Sequence, residues 1–176
     1  PAALPSAPGA PPGPRWIEPT RGAPADEHHD RFAAAVRAGL AHPGQKELPS
    51  KYLYDAVGSA LFEVICLLPE YGLARAGARL LRQHAPDIVA PFGRRVVVAE
   101  LGSGTARNTR LLLEALAPGR ATLYCPIDIS ATALVQAGLE LGTIDGVRVA
   151  GLEREYLEGL AEVSARRAPG EELFVL

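Results

Sequence analysis

The residues best suited to chemistry form a corner between an apolar run and a helical pattern. The apolar run at 96–99 leads without interruption into Glu100, and Gly102 and Gly104 then enclose Ser103 in a Gly-x-Gly turn. Glycines let a backbone approach a ligand closely and adopt conformations that other residues avoid. A carboxylate followed by such a turn, between a buried strand and a helix, is typical of nucleoside-binding sites. A plain tight turn is the alternative.

The charge of this corner indicates which ligand it takes. Dinucleotides lay a pyrophosphate on the helix N-terminus, and a third glycine lets helix and strand pack closely. Here Arg107 occupies that third position. Glu100 would repel phosphate oxygens a few ångströms away by roughly 4 kcal/mol per unit-charge pair at an effective dielectric of ~20. S-adenosylmethionine carries a sulfonium and an ammonium but no phosphate, so it suits the corner better than NAD.

Three further residues belong to the same predicted site. Asp128 ends the next predicted strand, about twenty residues beyond the turn, where an acidic side chain commonly accepts hydrogen bonds from ribose hydroxyls. Capping the next helix is the structural alternative, and it suits Ser130 better. Arg107 and Asn108 stand at a helix entrance, where a cation is unfavourable to the helix dipole. Arg107 therefore indicates either an anionic ligand group, such as a methionine carboxylate, or plain solvent exposure.

Tyrosines are concentrated in two short segments before this corner. Tyr52 and Tyr54 lie where a helix is expected to begin, and Tyr71 follows Pro69. A tyrosine gives a pocket an apolar wall with a hydrogen-bonding tip and a ring face that attracts cations. On composition alone, packing in a core is the favoured interpretation of these tyrosines.

The elements that must position these residues divide the chain into three parts. Residues 1–24 hold half of the chain's 16 prolines and are predicted to form a flexible tail. Residues 25–93 are predicted to form a helical cap with helices near 26–40, 52–68 and 74–90, the last with Leu80, Leu81, His84 and Ile88 turned inward.

From residue 94 onward, strands and helices alternate. Repeated βα units with short connections predict a parallel sheet covered by helices on both faces, which is a Rossmann-like α/β fold. The sheet is expected to be incomplete at the C-terminus, because the chain ends inside an apolar run and contains no methionine. The predicted strands are 96–100, 122–127, 147–150 and 173–176, and the predicted helices are 108–116, 131–141 and 155–165.

Composition narrows the class of protein. With 176 residues and 48% hydrophobic content, the chain can bury one sizeable core. A net charge of −2 argues against nucleic-acid binding, which usually needs a basic surface. No apolar run approaches the ~20 residues of a membrane helix and no secretory leader is evident, so a cytoplasmic location is expected. Cys66 and Cys125 are interpreted as buried thiols, and no histidine pair has metal-ligand spacing.

Three strings of the sequence resemble a known family. They are LPSKYLYDAVGSALFEVICLLPEYG, VVVAELGSGTARNTRLLLEAL and YCPIDIS. Together they resemble the histidine-specific, S-adenosylmethionine-dependent methyltransferases, typified by the enzyme that trimethylates histidine on the way to ergothioneine. The resemblance runs from about Phe32 to the end of the chain. It implies a methyltransferase that acts on the α-amino nitrogen of histidine or a related amino acid.

The resemblance also implies roles for individual residues. Gly102 and Asp128 would contact the cofactor, and Glu100 would support the glycine turn. Tyr54 would lie near the methionine portion of the cofactor, and Tyr71 near the substrate amino acid. The pair Glu155 and Tyr156 falls where the family usually has an Asp-Phe pair beside the adenine.

Two departures from the family pattern concern the pocket. The family commonly has a lysine for the cofactor carboxylate where this chain has Asn108, so Arg107 is the alternative ligand. The family also has a second tyrosine where this chain has Gly72. These departures keep open a methyltransferase for another small amine, and a non-catalytic cofactor-binding or protein-interaction module. The sequence gives no access to the oligomeric state.

Overall fold

The computed structural model describes residues 16–20, 25–104 and 106–176. Strand β1 (Trp16–Thr20) comes first and is followed by a helical part. That part consists of α1 (Ala25–Ala41), a 3₁₀ helix (Ser50–Leu53), α2 (Ala56–Leu67) and α3 (Gly72–Val89). Strands and helices then alternate as β2 (Arg95–Leu101), α4 (Arg107–Leu116), β3 (Ala121–Asp128), α5 (Ala131–Leu141), β4 (Val147–Glu153), α6 (Tyr156–Arg166) and β5 (Glu172–Val175).

The strands form one five-stranded sheet in the order β1-β4-β3-β2-β5. All four pairings are parallel, as the repeated βα units predict. The last four strands, taken in chain order, lie in the order third, second, first, fourth, which is half of a doubly wound sheet. The Rossmann-like α/β fold predicted from the sequence is therefore confirmed. The carboxyl ends of β2 and β3 meet at one edge, where Leu101 is opposite Ile127.

Strand β1 corrects one prediction. Residues 16–20 pair with β4, although they belong to the segment 1–24 that was predicted as a flexible tail. Trp16 and Ile17 favour strands, and an edge strand tolerates Pro19, which has no N–H to donate. The register shifts between Ile17 and Thr20, on either side of this proline. The remainder of the predicted tail lies outside the described residues.

The core lies on both faces of the sheet, because alternate side chains of a strand point to opposite faces. On one face, Val96 and Val98 of β2 pack with buried residues of α3, α4 and α5. On the other face, Val97 and Ala99 pack with Val163 of α6. A strand buried on both faces explains why β2 is continuously apolar from Val96 to Ala99.

The helical part matches the prediction in number of helices but differs in detail. The expected helix at 52–68 is divided into the 3₁₀ helix and α2, because Asp55 caps α2 by accepting a hydrogen bond from the Gly58 amide at 2.7 Å. The predicted inward face of α3 is wrong by one position. Ala85 and Val89 are buried, whereas Leu80 is 59% exposed.

The shift rotates the buried stripe of α3 by about 100°, which is the angle between successive helical residues. Its members are Ala85 and Val89, with Leu81 partly buried as predicted, whereas Leu80, His84 and Ile88 are exposed. A small residue such as Ala85 lets α3 approach α4 closely, and this packing joins the helical part to the sheet.

Two smaller findings complete the fold. Cys125 is fully buried and burial raises its pKa to about 12, whereas Cys66 is only half-buried, contrary to prediction. Within the described residues, no single helix is long and apolar enough to cross a membrane. The α2 and α3 pair reaches that length and composition only jointly, across a bend of 73°.

Candidate functional site

The glycine turn joins β2 to α4 in the conformation that the sequence predicts. Gly102 has a φ of +76° and Gly104 a φ of +49°, values that glycine adopts more readily than other residues. The Gly102 amide donates a hydrogen bond to the Ile127 carbonyl at 2.8 Å, which ties the turn to β3. The turn therefore lies at the edge where the carboxyl ends of β2 and β3 meet.

Asp128 reaches this turn from β3. Its Oδ2 accepts a hydrogen bond from the Gly104 amide at 3.2 Å, and its Oδ1 accepts one from the Ser130 amide at 2.9 Å. Ser130 caps α5 by accepting a hydrogen bond from the Ala133 amide at 3.3 Å, as predicted. Asp128 is thus left at the crevice, with its carboxylate oriented by two backbone amides.

A cavity of about 660 Å³ opens beside the turn and Asp128. It lies between the helical part and the sheet, and this volume is in the range of small-molecule sites. Six residues of the predicted site line it: Tyr54, Gly102, Gly104, Asp128, Glu155 and Tyr156. The remaining lining residues are Ser50, Lys51, Ala56, Ser59, Ala60, Phe62, Glu63, Ile129, Ser130, Thr132, Ala133 and Gln136.

Five predicted residues do not line the cavity. Ser103, the middle residue of the turn, is buried. Arg107 lies 3.8 Å from Oε2 of Glu63 in an ion pair, with its side chain 65% exposed. Asn108 faces α3, where its Nδ2 lies 3.7 Å from the position that a Cβ on Gly77 would take. Glu100 and Tyr71 are the other two.

Glu100 lies behind the glycine turn rather than in the cavity. Its Oε1 accepts a hydrogen bond from Thr109 Oγ1 at 2.7 Å, and its Oε2 accepts one from the Tyr124 hydroxyl. Burial raises the pKa of Glu100, and these two hydrogen bonds offset part of the rise. Burial, followed by the charge of Glu100, raises the pKa of Tyr124 well above its usual value, so the phenol stays protonated and donates. Glu100 therefore fastens β2 to β3 and to α4 beneath the turn.

We predict that Tyr124→Phe destabilises the protein in a pH-dependent way. The pKa of Glu100 is higher in the folded than in the unfolded state, so protonated Glu100 contributes to the free energy of unfolding below about pH 4.5. This contribution is lost as the pH rises through the folded-state pKa. Removing the Tyr124 donor raises that pKa further. Urea unfolding should show a loss of about 2 kcal/mol near pH 8 and a clearly smaller loss near pH 4.5.

Tyr52→Phe is the matched control for this prediction. Its hydroxyl lies 3.4 Å from the Arg31 carbonyl at the surface, so its removal should change the free energy of unfolding by less than about 0.5 kcal/mol at either pH. A loss in Tyr124→Phe that is equal at both pH values would contradict the role assigned to Glu100.

Tyr71 is joined to the cavity through a row of aromatic rings. The ring centroid of Phe62, which lines the cavity, lies 6.0 Å from that of Tyr54 and 6.1 Å from that of Tyr71, edge-on in both cases. These distances are in the favourable range for aromatic pairs. The structure therefore places Phe62 between the two predicted tyrosines, of which Tyr54 lines the cavity and Tyr71 lies behind Phe62.

Tyr156 lies directly over the glycine turn. A Cβ added to Gly102 would stand 2.6 Å from the Tyr156 hydroxyl, so the ring occupies the space that any larger residue at 102 would need. Burial raises the pKa of Tyr156, and the nearby Asp128 and Tyr54 raise it further. The neutral phenol thus forms a wall of the cavity next to Asp128.

The charged groups of the cavity are mostly negative. Glu63, Asp128 and Glu155 line it with carboxylates, and Lys51 is the one lysine or arginine among its described lining residues. A cavity with this balance attracts cations and repels phosphate groups. This electrostatic character agrees with the expectation drawn from Glu100, although other carboxylates provide it.

Comparison with known proteins gives the family. The model of the histidine-specific, S-adenosylmethionine-dependent methyltransferases matches residues 32–176. The chain belongs to this family. S-adenosylmethionine is the cofactor of the family, and a carboxylate-lined cavity beside a glycine turn suits its sulfonium and ammonium groups.

Three relatives show how far the similarity extends. Histidine N-alpha-methyltransferase of Mycolicibacterium smegmatis is 38% identical over 141 residues, which are 79% of this chain and 43% of that protein. Histidine N-alpha-methyltransferase of Mycobacterium tuberculosis is 38% identical over 152 residues, 85% of this chain and 46% of that protein. N-methyltransferase dtpB of Aspergillus flavus is 31% identical over 120 residues, 65% of this chain and 34% of that protein. The chain thus spans less than half the length of each.

Sequence reasoning did not assign twelve of the lining residues to the site, and the charged ones among them are Lys51 and Glu63. Both belong to the string LPSKYLYDAVGSALFEVICLLPEYG, which was singled out for its tyrosines and for its resemblance to the family, without a role for either residue. Ile129 and Thr132 had a detectable signal, because they follow Asp128 at a strand end where ligands of open α/β sheets bind. Lys51 and Glu63 had none, since their partners lie elsewhere in the chain.

Proposed function

We propose that the full-length protein transfers a methyl group from S-adenosylmethionine to the α-amino nitrogen of histidine or a related amino acid. The observation that carries this proposal is the carboxylate-lined cavity beside the glycine turn, in a chain of the histidine-specific methyltransferase family. The names of the two mycobacterial relatives support histidine as the acceptor.

The residues at the sheet edge would hold the cofactor. Bound S-adenosylmethionine supplies an activated methyl group on a sulfonium. Asp128 accepts hydrogen bonds from the ribose hydroxyls, and Gly102 and Gly104 allow close approach of the backbone. Ser103 and Glu100 support this turn from behind, while Glu155 and Tyr156 form the wall beside the adenine.

The entrance of α4 would serve the other end of the cofactor. Arg107 provides the positive charge for the methionine carboxylate, and Asn108 provides an amide next to it. The ion pair of Arg107 with Glu63 is long, at 3.8 Å, and the guanidinium is 65% exposed. Such a pair is weak, so Arg107 is able to turn toward a ligand carboxylate at little cost.

The tyrosines would orient the acceptor. Methyl transfer to nitrogen is an in-line displacement, so the α-amino group must be neutral and must lie near ~3 Å from the methyl carbon. Tyr54 lines the cavity and Tyr71 follows beyond Phe62. Their hydroxyls are suited to accepting the remaining hydrogens of the amine, which directs its lone pair at the methyl group.

Two measurements on the full-length protein test this function. Calorimetric titration should show binding of S-adenosylhomocysteine, and incubation of S-adenosylmethionine with histidine should yield N-α-methylated histidine. A folded protein that gives neither binding heat nor methylated product would refute the proposal. Binding without turnover on histidine would refute the acceptor alone.

Gly72 favours a second class of acceptor, a small amine other than histidine. A Cβ added there would meet nothing within 4 Å, and its φ is not positive, so no backbone constraint requires glycine. The position therefore lacks a side chain that the family pattern would place near the acceptor. The similarity to a fungal N-methyltransferase also permits another small amine. Turnover measured on a panel of amino acids and biogenic amines distinguishes the two acceptor classes.

A further inference from the structure

Lys51 and Glu155 form an ion pair at the edge of the cavity. Lys51 Nζ lies 2.7 Å from Glu155 Oε1, and their side chains are 42% and 43% exposed. The residues are 104 positions apart, and both line the cavity. Lys51 belongs to the 3₁₀ helix and Glu155 immediately precedes α6. The pair therefore links the helical part of the chain to the sheet.

The segment that carries Lys51 is held by little apolar burial. Neither the 3₁₀ helix nor α2 contains a buried residue. Hydrophobic burial is the main force that fixes most helices in a fold. Where it is weak, individual polar contacts have more influence on position. Tyr54 caps the C-terminus of this 3₁₀ helix, and its amide donates a hydrogen bond to the Lys51 carbonyl, so the position of Lys51 influences that of Tyr54.

The surroundings of Lys51 support a positioning role. Its Nζ lies 5.4 Å from the ring centroid of Tyr52, and that ring packs edge-on against Phe32 of α1 at 4.9 Å. The hydrogen bond to Glu155 raises the pKa of Lys51, so the ammonium stays charged. A second cavity of about 300 Å³ shares both Lys51 and Glu155 with the first. The ion pair thus stands between two spaces.

We propose that Lys51 is a positioning residue of the cofactor site. Through its ion pair with Glu155, it fixes the segment 50–54 across the mouth of the cavity and holds Tyr54 at the cavity wall. The side chain of Glu155 is oriented by the same contact. This inference rests on the proposed function of the cavity as the S-adenosylmethionine site.

Charge reversal in the full-length protein tests the proposal, with calorimetric titration of S-adenosylhomocysteine as the readout. Lys51→Met should weaken binding about three- to fivefold, the range expected for an exposed ion pair, and Lys51→Arg should bind like wild type. Lys51→Glu should weaken binding about tenfold, because it places like charges together. Adding Glu155→Lys to Lys51→Glu should restore binding to within about threefold of wild type.

Lys46→Met is the matched control, because Lys46 is a lysine of the same helical part that contacts the His42 carbonyl and does not line the cavity. It should bind like wild type. Raising the salt concentration should weaken binding more in wild type than in Lys51→Met, because wild type has one more ion pair to screen. The midpoints of urea unfolding of wild type and Lys51→Met should nearly coincide. If Lys51→Met and Lys51→Glu bind like wild type, or if the double variant binds more weakly than Lys51→Glu, this inference alone is overturned. A wild-type protein that binds no S-adenosylhomocysteine would overturn the proposed function and this inference with it.

Discussion

Asp128→Ala should weaken S-adenosylhomocysteine binding by about 3 kcal/mol, or roughly a hundredfold. The substitution removes the charged acceptor that the proposed function assigns to the ribose hydroxyls. It also removes the acceptor of the Gly104 and Ser130 amides, so the turn loses a contact that holds it open to the ligand. Calorimetric titration of the full-length protein measures the loss.

Two variants separate the ligand contact from its structural background. Asp128→Asn keeps the shape and one acceptor, so its binding should fall only about tenfold. Asp87→Ala is the matched surface control, because Asp87 lies in α3 with its side chain 86% exposed, and binding should not change. The ribose role fails if Asp128→Ala unfolds at a lower urea concentration but binds S-adenosylhomocysteine as tightly as wild type.

Gly102→Ala should abolish measurable cofactor binding and destabilise the fold. The residue has a φ of +76°, which costs alanine roughly 1 kcal/mol or more. In addition, the new Cβ would stand 2.6 Å from the Tyr156 hydroxyl, so the Tyr156 side chain must shift at the cavity wall. We expect binding at least about fiftyfold weaker and a free energy of unfolding about 2 kcal/mol lower.

Gly119→Ala is the control for backbone strain. Its φ of +72° nearly equals that of Gly102, but a Cβ there would meet nothing within 4 Å. Gly119→Ala should lower the free energy of unfolding by about 1 kcal/mol through backbone strain, and it should bind S-adenosylhomocysteine like wild type. Gly102→Ala combined with Tyr156→Phe should recover part of the stability, because the hydroxyl is the nearest atom. If Gly119→Ala impairs binding as much as Gly102→Ala, the glycine turn has no particular role.

The sheet and the glycine corner were accessible from the sequence because their signals are local. The apolar run of β2 passes directly into Glu100 and the turn, and a predicted helix at 131–141 coincides with α5. Parallel strands end at one edge, which is why the sequence predicts that Asp128 lies at the same crevice as the glycine turn. Only chain order and side-chain polarity were needed.

The direction of Glu100 was misjudged although the signal was present. Side chains alternate along a strand, so Val96, Val98 and Glu100 point to the same face, toward α4. The electrostatic expectation placed Glu100 at the ligand, whereas its carboxylate is used by Thr109 and Tyr124. The alternation of side chains along β2 therefore predicts that Glu100 points toward α4 rather than toward the ligand.

Other parts of the site depend on contacts that a sequence does not reveal. Periodicity favoured the large side chains of Leu80 and Ile88 for the buried stripe of α3, but close packing on α4 selects the small Ala85. The ion pair of Lys51 with Glu155 joins positions 104 residues apart. Tertiary packing decides both, so neither follows from local pattern.

The most direct test of the central claim is a crystal structure of the full-length protein with S-adenosylhomocysteine. The account predicts the ribose hydroxyls within hydrogen-bond distance of the Asp128 carboxylate, the adenine beside Tyr156, and the thioether beside the turn at Gly102. Adenosine bound outside this cavity would contradict the account. So would a crystal soaked with NAD in which the pyrophosphate of NAD lies on the glycine turn.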